Sequence, residues 1–177
     1  MSTAPDLRSH IRDIPDFPRP GIVFKDITPL LLDAAALRWT VDQLAGYAKA
    51  RGVDYVVSAE ARGFVVGGAL AVASGAGFVL ARKPGKLPRE VDSAEYQLEY
   101  GVDALEVHSD AMSGGARVLV HDDLLATGGT ADALCRLVDQ AGGEVVGCAF
   151  LVELEFLGGR SRLADRDVLS LITYESE

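Results

Sequence analysis

Residues 118–134 read VLVHDDLLATGGTADAL. The segment RVLVH (117–121) is short, apolar and β-branched, which predicts a strand buried on both faces. Thr127-Gly128-Gly129-Thr130 supplies a turn, and residues 130–141 take on helical spacing. A strand that passes through a tight turn into a helix is the building unit of a parallel α/β sheet. Two features inside this unit cost stability. Asp122 and Asp123 repel one another, and the double glycine weakens any regular element around it. Such costs are kept where something is bound.

The rest of the chain repeats the alternation of strands and helices. Residues 34–51 have helical spacing, with Leu37, Val41, Leu44 and Ala48 on one face, and Trp39 and Tyr47 read as packing residues. VDYVVS (53–58) reads as a strand, followed by a buried helix over about 62–73 and a short strand over 77–82. Further strands are expected at Leu105–His108, 144–152 and 168–173. Residues 5–33 hold five of the seven prolines and predict an extended, wrapping segment. Residues 83–101 are polar with weak periodicity, and a loop of that length is functional or mobile. The fold expected is a single α/β domain over 1–177, a mainly parallel sheet covered by helices. Such sheets bind ligands beyond the carboxyl ends of their strands, where the turns at 58–63 and 121–130 both lie.

Composition narrows the function classes. With 177 residues, 49% apolar and 24% charged, the chain is long enough for one real core. A net charge of −9 argues against a nucleic-acid binder, which carries a basic face. Cys135 and Cys148 stand in apolar surroundings with no CxxC, and read as buried free thiols of a reducing compartment. The first residues are charged throughout and lack the apolar stretch of a signal peptide, so a cytoplasmic location is expected. Residues 63–81 hold no charge, but five glycines interrupt them; a buried helix, turn and strand account for them better than a membrane span.

If strand alternation persists, His121 and Asp123 point to one face and Asp122 to the other. Beyond them, Ala126-Thr127-Gly128-Gly129-Thr130 offers amide donors at a helix N-terminus, which suits a phosphate. The plainer reading is a helix cap by Thr130, which leaves the paired acids unexplained. A metal site from His121, Asp122 and Asp123 is weakened because consecutive strand residues diverge. There is no GxxxxGK[ST], and Gly75-Ala76-Gly77 does not continue as GxGxxG. Acids followed by a phosphate cradle suit a sugar phosphate, with carboxylates accepting from ribose hydroxyls.

At this point the stretch resembles the phosphoribosyl-pyrophosphate motif of type I phosphoribosyltransferases. Other segments resemble the adenine-using branch of that family: IRDIPDFPRPGIVFKDITPLL (11–31), Glu60-Ala61-Arg62-Gly63-Phe64, Arg82–Pro88, Tyr96–Gly101, and Val152-Glu153-Leu154 with Leu157 and Gly159-Arg160. The resemblance covers most of the chain, in family order. It implies the type I fold, with 1–33 as an N-terminal base-binding hood and 83–101 as a flexible catalytic loop. It implies purine salvage, in which adenine displaces pyrophosphate from phosphoribosyl pyrophosphate to give AMP through an oxocarbenium-like transition state. Another purine (hypoxanthine, guanine or xanthine) and a non-catalytic sensor of phosphoribosyl pyrophosphate are the alternatives. It further implies Mg2+, a homodimer, and neither nucleic acid nor membrane as partner.

The roles implied by the resemblance are as follows. Asp122 and Asp123 serve the ribose and Ala126–Thr130 the 5′-phosphate, with Asp123 as the one residue that could meet magnesium directly. Glu60, Ala61, Arg62, Lys83 and Lys86 serve the pyrophosphate. Phe24 stacks on the base while backbone groups of Val23 and Lys25 read its edge; taken alone, Phe24 reads as a core aromatic. Glu99 contacts N7 of adenine, Tyr100 closes the loop, and Arg62 assists the chemistry. Two positions depart from the family pattern. Ala61 stands where a polar residue is expected, and His121, in place of an aliphatic, reads as a packed strand-end histidine.

Overall fold

A computed structural model describes residues 5–98 and 101–176. After a short 3-10 turn at Leu7–His10 come β1 (Arg12–Ile14), β2 (Phe24–Asp26), α1 (Thr28–Leu32) and α2 (Ala34–Ala50). Then follow β3 (Tyr55–Ala59), α3 (Arg62–Ser74), β4 (Gly77–Ala81), β5 (Val91–Leu98) and β6 (Gly101–His108). The chain ends with β7 (Arg117–Leu125), α4 (Gly129–Gln140), β8 (Glu144–Leu154), 3-10 turns at Glu155–Leu157 and Gly159–Leu163, and β9 (Val168–Tyr174).

The central sheet has five strands in the order β4-β3-β7-β8-β9, every pair parallel. Its strands are apolar on both faces because both are covered. On one face Val56 and Leu119 pack against Leu44 and Ala48 of α2 and Val66 and Leu70 of α3. On the other, Val57, Val118, Val120 and Phe150 meet Leu134, Leu137 and Val138 of α4 and Leu105 and Val107 of β6. The N-terminal segment adds a third cluster, with Leu7, Ile27 and Leu30 on Leu151 and Val152. Trp39 and Tyr47 pack against the core as the spacing implied. Cys135 and Cys148 are buried thiols with their sulfurs 3.8 Å apart.

Three local readings need correction. Residues 83–101 are not one loop: β5 and β6 form an antiparallel hairpin, with Val91 opposite His108 and Gln97 opposite Val102. Among the β5 residues whose side chains are described, Ala94 and Tyr96 alone are buried, so the alternation is too short to read from sequence. The strand at 117–121 continues to Leu125, because β8 goes on pairing with it after β3 has ended at Ser58 and Ala59. The supposedly irregular N-terminus holds the antiparallel pair β1–β2, with Ile14 opposite Phe24, and the helix α1. Residues 63–81 form α3 and β4, and among the described residues no helix is long and apolar enough to cross a membrane.

Candidate active site

The sheet brings four connections to its carboxyl edge: β3 to α3, β4 to the stretch 82–90, β7 to α4, and the turns after β8. The β1–β2 pair lies beside them. Ser58 Oγ donates to His121 O at 2.7 Å, tying the end of β3 to the middle of β7. His121 Nδ1–H donates to Ala149 O at 2.9 Å, while the Nε2 atom is buried without a partner. Burial drives its pKa down to about 4, so the ring is neutral and serves packing. It lies against α3 at Gly67, where a Cβ would stand 3.2 Å from its Cδ2 and 2.9 Å from the Phe78 ring.

The two acids, whichever sheet face each leaves from, converge on one helix end. β3 ends beside His121, so both carboxylates meet the first turn of α3. Asp122 Oδ1 is where a Cβ on Gly63 would come within 2.6 Å, and Arg62 Nε lies 3.0 Å from Asp123 Oδ2. That Arg62 contact lacks hydrogen-bond alignment, and Oδ2 is buried without a hydrogen-bond partner. Burial and the neighbouring Asp123 charge push the Asp122 carboxyl well above its usual range. Burial also raises Asp123, with Arg62 opposing. Two adjacent raised acids, one with an unsatisfied oxygen, form a site prepared for hydroxyl donors or a cation.

The turn after β7 is built from backbone. Gly128, at φ +82, is the N-cap of α4, a position expected for Thr130; α4 starts one residue earlier than the spacing implied. Among the described residues no side chain caps this helix end, and free amides at such an end suit an anion. Glycine is also required for space: a Cβ on Gly129 would come within 2.9 Å of Gln97 O. Ala126 and Thr127 border the adjoining cavity.

Among the residues expected to serve pyrophosphate, Ala61 is the exposed N-cap of α3, again without a side-chain cap, and the Glu60–Ala61 peptide is cis. The Glu60 carboxylate accepts from Arg82 Nε at 2.7 Å and from the Lys83 amide at 3.0 Å, so it holds the basic stretch in place. Lys83 Nζ pairs with Asp103 on β6, whose carboxylate raises the lysine's pKa. Lys86 is exposed at the end of the turn. Of the five residues expected to serve pyrophosphate, the structure brings only Arg62 into the cavity.

That cavity has a volume of about 530 Å³ and joins Val23, Phe24 and Lys25 to Arg62, Ala126 and Thr127. Arg62 lies 4.9 Å from the centre of the Phe24 ring, and Phe17 meets Phe24 edge-on at 5.1 Å. The Lys25 side chain turns away to Asp13 at 2.8 Å and to the Tyr174 ring, so only its backbone can serve the cavity. Leu124, Leu154, Phe156 and Leu157 add to the apolar wall. Leu154 and Leu157 stood in the matched C-terminal pattern without an assigned role, Leu124 and Phe156 were not foreseen, and the partial exposure of Phe156 and Leu157 is invisible in sequence. Glu99 and Tyr100 lie outside the described residues.

A parallel sheet whose edge joins paired acids, an uncapped glycine turn and an apolar slot is built to hold a phosphorylated sugar beside a flat base. That defines a phosphoribosyltransferase, and a sequence model of the phosphoribosyl transferase domain matches residues 27–173. The adenine phosphoribosyltransferase of Rubrobacter xylanophilus is 62% identical over 169 residues, covering 95% of this chain and 91% of the relative. The crystal structure of adenine phosphoribosyltransferase from Thermoanaerobacter pseudethanolicus is similar with a TM-score of 0.93 at 51% identity, covering 96% of this chain and 98% of the other. The Saccharomyces cerevisiae enzyme, solved with an imino-altritol bisphosphate and adenine, has a TM-score of 0.89 at 38% identity, covering 94% and 96%. The chain belongs to the adenine phosphoribosyltransferase family.

Proposed function

We propose that the protein transfers the phosphoribosyl group of phosphoribosyl pyrophosphate to adenine, giving AMP and pyrophosphate in purine salvage. The observation that carries this reading is that one cavity reaches the Phe24 ring, Arg62 and the Thr127 turn, with Asp123 3.0 Å from Arg62. In this reading N9 of adenine, with its ring proton on N7, bonds to the anomeric carbon as the bond to pyrophosphate oxygen breaks, and the N7 proton is released by way of Glu99. Positive charge develops on the sugar and negative charge on the leaving group. Asp122 and Asp123 hold the ribose hydroxyls and stabilise the cationic sugar, Gly128–Thr130 amides receive the 5′-phosphate, and Arg62 moves to the pyrophosphate. Lys83 and Lys86 join Arg62 once Lys83 leaves Asp103. Glu99 hydrogen-bonds N7 of adenine and Tyr100 covers the sugar.

Magnesium is proposed as the cofactor. Among the described residues no three His, Cys, Asp or Glu side chains converge, so a protein cage is not the fitting mode. Asp123 Oδ2, ion-paired to Arg62 but without a hydrogen bond, suits an ion held mainly by substrate oxygens and water once Arg62 moves to the pyrophosphate. When bound, the ion neutralises charge on the departing pyrophosphate.

Phe24→Ala is expected to raise KM for adenine about tenfold, through loss of ring stacking, and to leave KM for phosphoribosyl pyrophosphate unchanged; steady-state kinetics in both substrates check this. Base preference is tested by comparing adenine, hypoxanthine, guanine and xanthine, with and without magnesium. Adenine alone is expected to give nucleotide, because a 6-oxo group loses the bond that a backbone acceptor makes to the 6-amino group. Equal turnover of hypoxanthine would overturn the assignment of the base.

A homodimer is proposed with the family resemblance. Val65 and Val72 of α3 and Leu80 of edge strand β4 are exposed at 52%, 84% and 43%, apolar side chains that a second copy would cover. Val72→Lys is then expected to shift the sedimenting species from dimer to monomer. A cytoplasmic location is proposed on the free, adjacent thiols Cys135 and Cys148.

A further inference from the structure

The turn after β8 presses directly on the phosphate turn, and a buried carboxylate fastens it there. Glu153, the penultimate residue of β8, is 2% exposed and lies between Leu125 of β7 and Thr173 of β9. A carboxylate in that place is costly unless paired. Arg160 pairs with it at two points, Nε donating to Oε1 at 2.9 Å and Nη2 to Oε2 at 2.5 Å. Its third nitrogen, Nη1, donates to Val168 O at 3.1 Å. Arg160 holds the Glu153 carboxyl below its usual range despite burial.

Between the two residues the chain reverses at Gly158, φ +67, and both the Oγ and the amide of Ser161 bond back to Gly158 O. The reversal lays Gly159 against residues 126–128. A Cβ on Gly159 would stand 2.9 Å from Gly128 N, and one on Gly128 would stand 2.5 Å from Gly159 O. No side chain fits between these backbones. From this segment Leu154, Phe156 and Leu157 border the cavity, whereas Glu153 and Arg160 stand behind it.

We infer that the Glu153–Arg160 pair positions the 5′-phosphate turn, fixing the direction of the Gly128–Thr130 amides by clamping Gly159 against Gly128. The inference rests on the reading of that turn as the phosphate site. Both are positioning residues, since they act through Gly159. The pair explains why an acid stands at the buried end of β8, where an aliphatic would pack without needing a partner.

Glu153→Gln keeps the volume and loses one of the two bonds; Arg160→Lys keeps the charge and supplies one bond in place of the fork. Each is expected to raise KM for phosphoribosyl pyrophosphate and Kd for ribose 5-phosphate about tenfold or more, through misaligned amides. KM for adenine should stay within about twofold, because that binding energy is separate. A merely structural role would lower the thermal midpoint and the active fraction while leaving both constants at the wild-type value. Unchanged Kd for ribose 5-phosphate in either folded variant, or equal increases in both KM values, would overturn the inference. If Glu153→Gln does not fold, Arg160→Lys decides alone, and failure of both to fold assigns the pair to stability and also overturns it. Wild-type protein that binds ribose 5-phosphate without forming AMP would count against the proposed reaction and leave this test intact.

Discussion

Asp122→Asn is expected to reduce kcat/KM for phosphoribosyl pyrophosphate by about 10²–10³, the loss typical of one preorganised electrostatic contact, while making the free protein more stable at neutral pH. The two effects have one cause. Burial and Asp123 raise the Asp122 carboxyl well above 3.8 in the folded chain, so the folded state keeps a proton that the unfolded state has released. Below pH 3.8 both states are protonated and the penalty is absent. It grows as pH rises above that value and is complete above the folded pKa. The variant should therefore melt higher than wild type at pH 7 and no higher at pH 3.5. A gain of 1 kcal/mol would read as about 2–4 °C at this chain length. Asp123→Asn should lose comparable activity but gain less stability, since Arg62 already opposes the Asp123 shift. Melting curves across pH, set beside turnover, check both. Equal melting of Asp122→Asn and wild type at pH 7 would remove electrostatic strain from the account.

Gly128→Ala is expected to cost about 10²-fold in kcat/KM for phosphoribosyl pyrophosphate through displacement of the phosphate amides. It is also expected to cost about 1–3 kcal/mol of stability. Position 128 sits at φ +82, and a Cβ there would meet Gly159 O at 2.5 Å. Neither conflict can relax without moving the phosphate turn or the 158–160 reversal. Gly46→Ala is the matched control. Gly46 lies inside α2, and an added methyl group there would have nothing within 4 Å, so a gain of about 0.5–1 kcal/mol and unchanged kinetics are expected.

Much of this fold was legible because its strands and helices alternate and its buried strands are continuously apolar. The limits of α2, α3, β4, α4 and β9 lie within a few residues of those implied by spacing. What escaped was structure with a weak local signal. Among the described side chains of β5, Ala94 and Tyr96 alone turn inward, and the extension of β7 to Leu125 depends on continued pairing with β8. The paired acids and glycine turn were legible as chemistry, because unfavourable local choices need an external reason. Their geometry was not: convergence of Asp122 and Asp123 on α3 depends on where β3 ends. The Lys83–Asp103 pair and Glu60 as a support for Arg82 are contacts between distant segments, to which spacing along the chain is blind. The Glu153–Arg160 clamp, though its partners stand only seven residues apart, depends on the chain reversal at Gly158.

The central claim is that the edge of this sheet joins adenine to a phosphoribosyl group. Its most direct measurement is chromatographic detection of AMP and pyrophosphate from wild-type protein supplied with adenine, phosphoribosyl pyrophosphate and magnesium. The account predicts equimolar AMP and pyrophosphate, formed only when both substrates are present, and abolished or nearly so in Asp122→Asn. No AMP from folded wild-type protein, or undiminished AMP from Asp122→Asn, would contradict it.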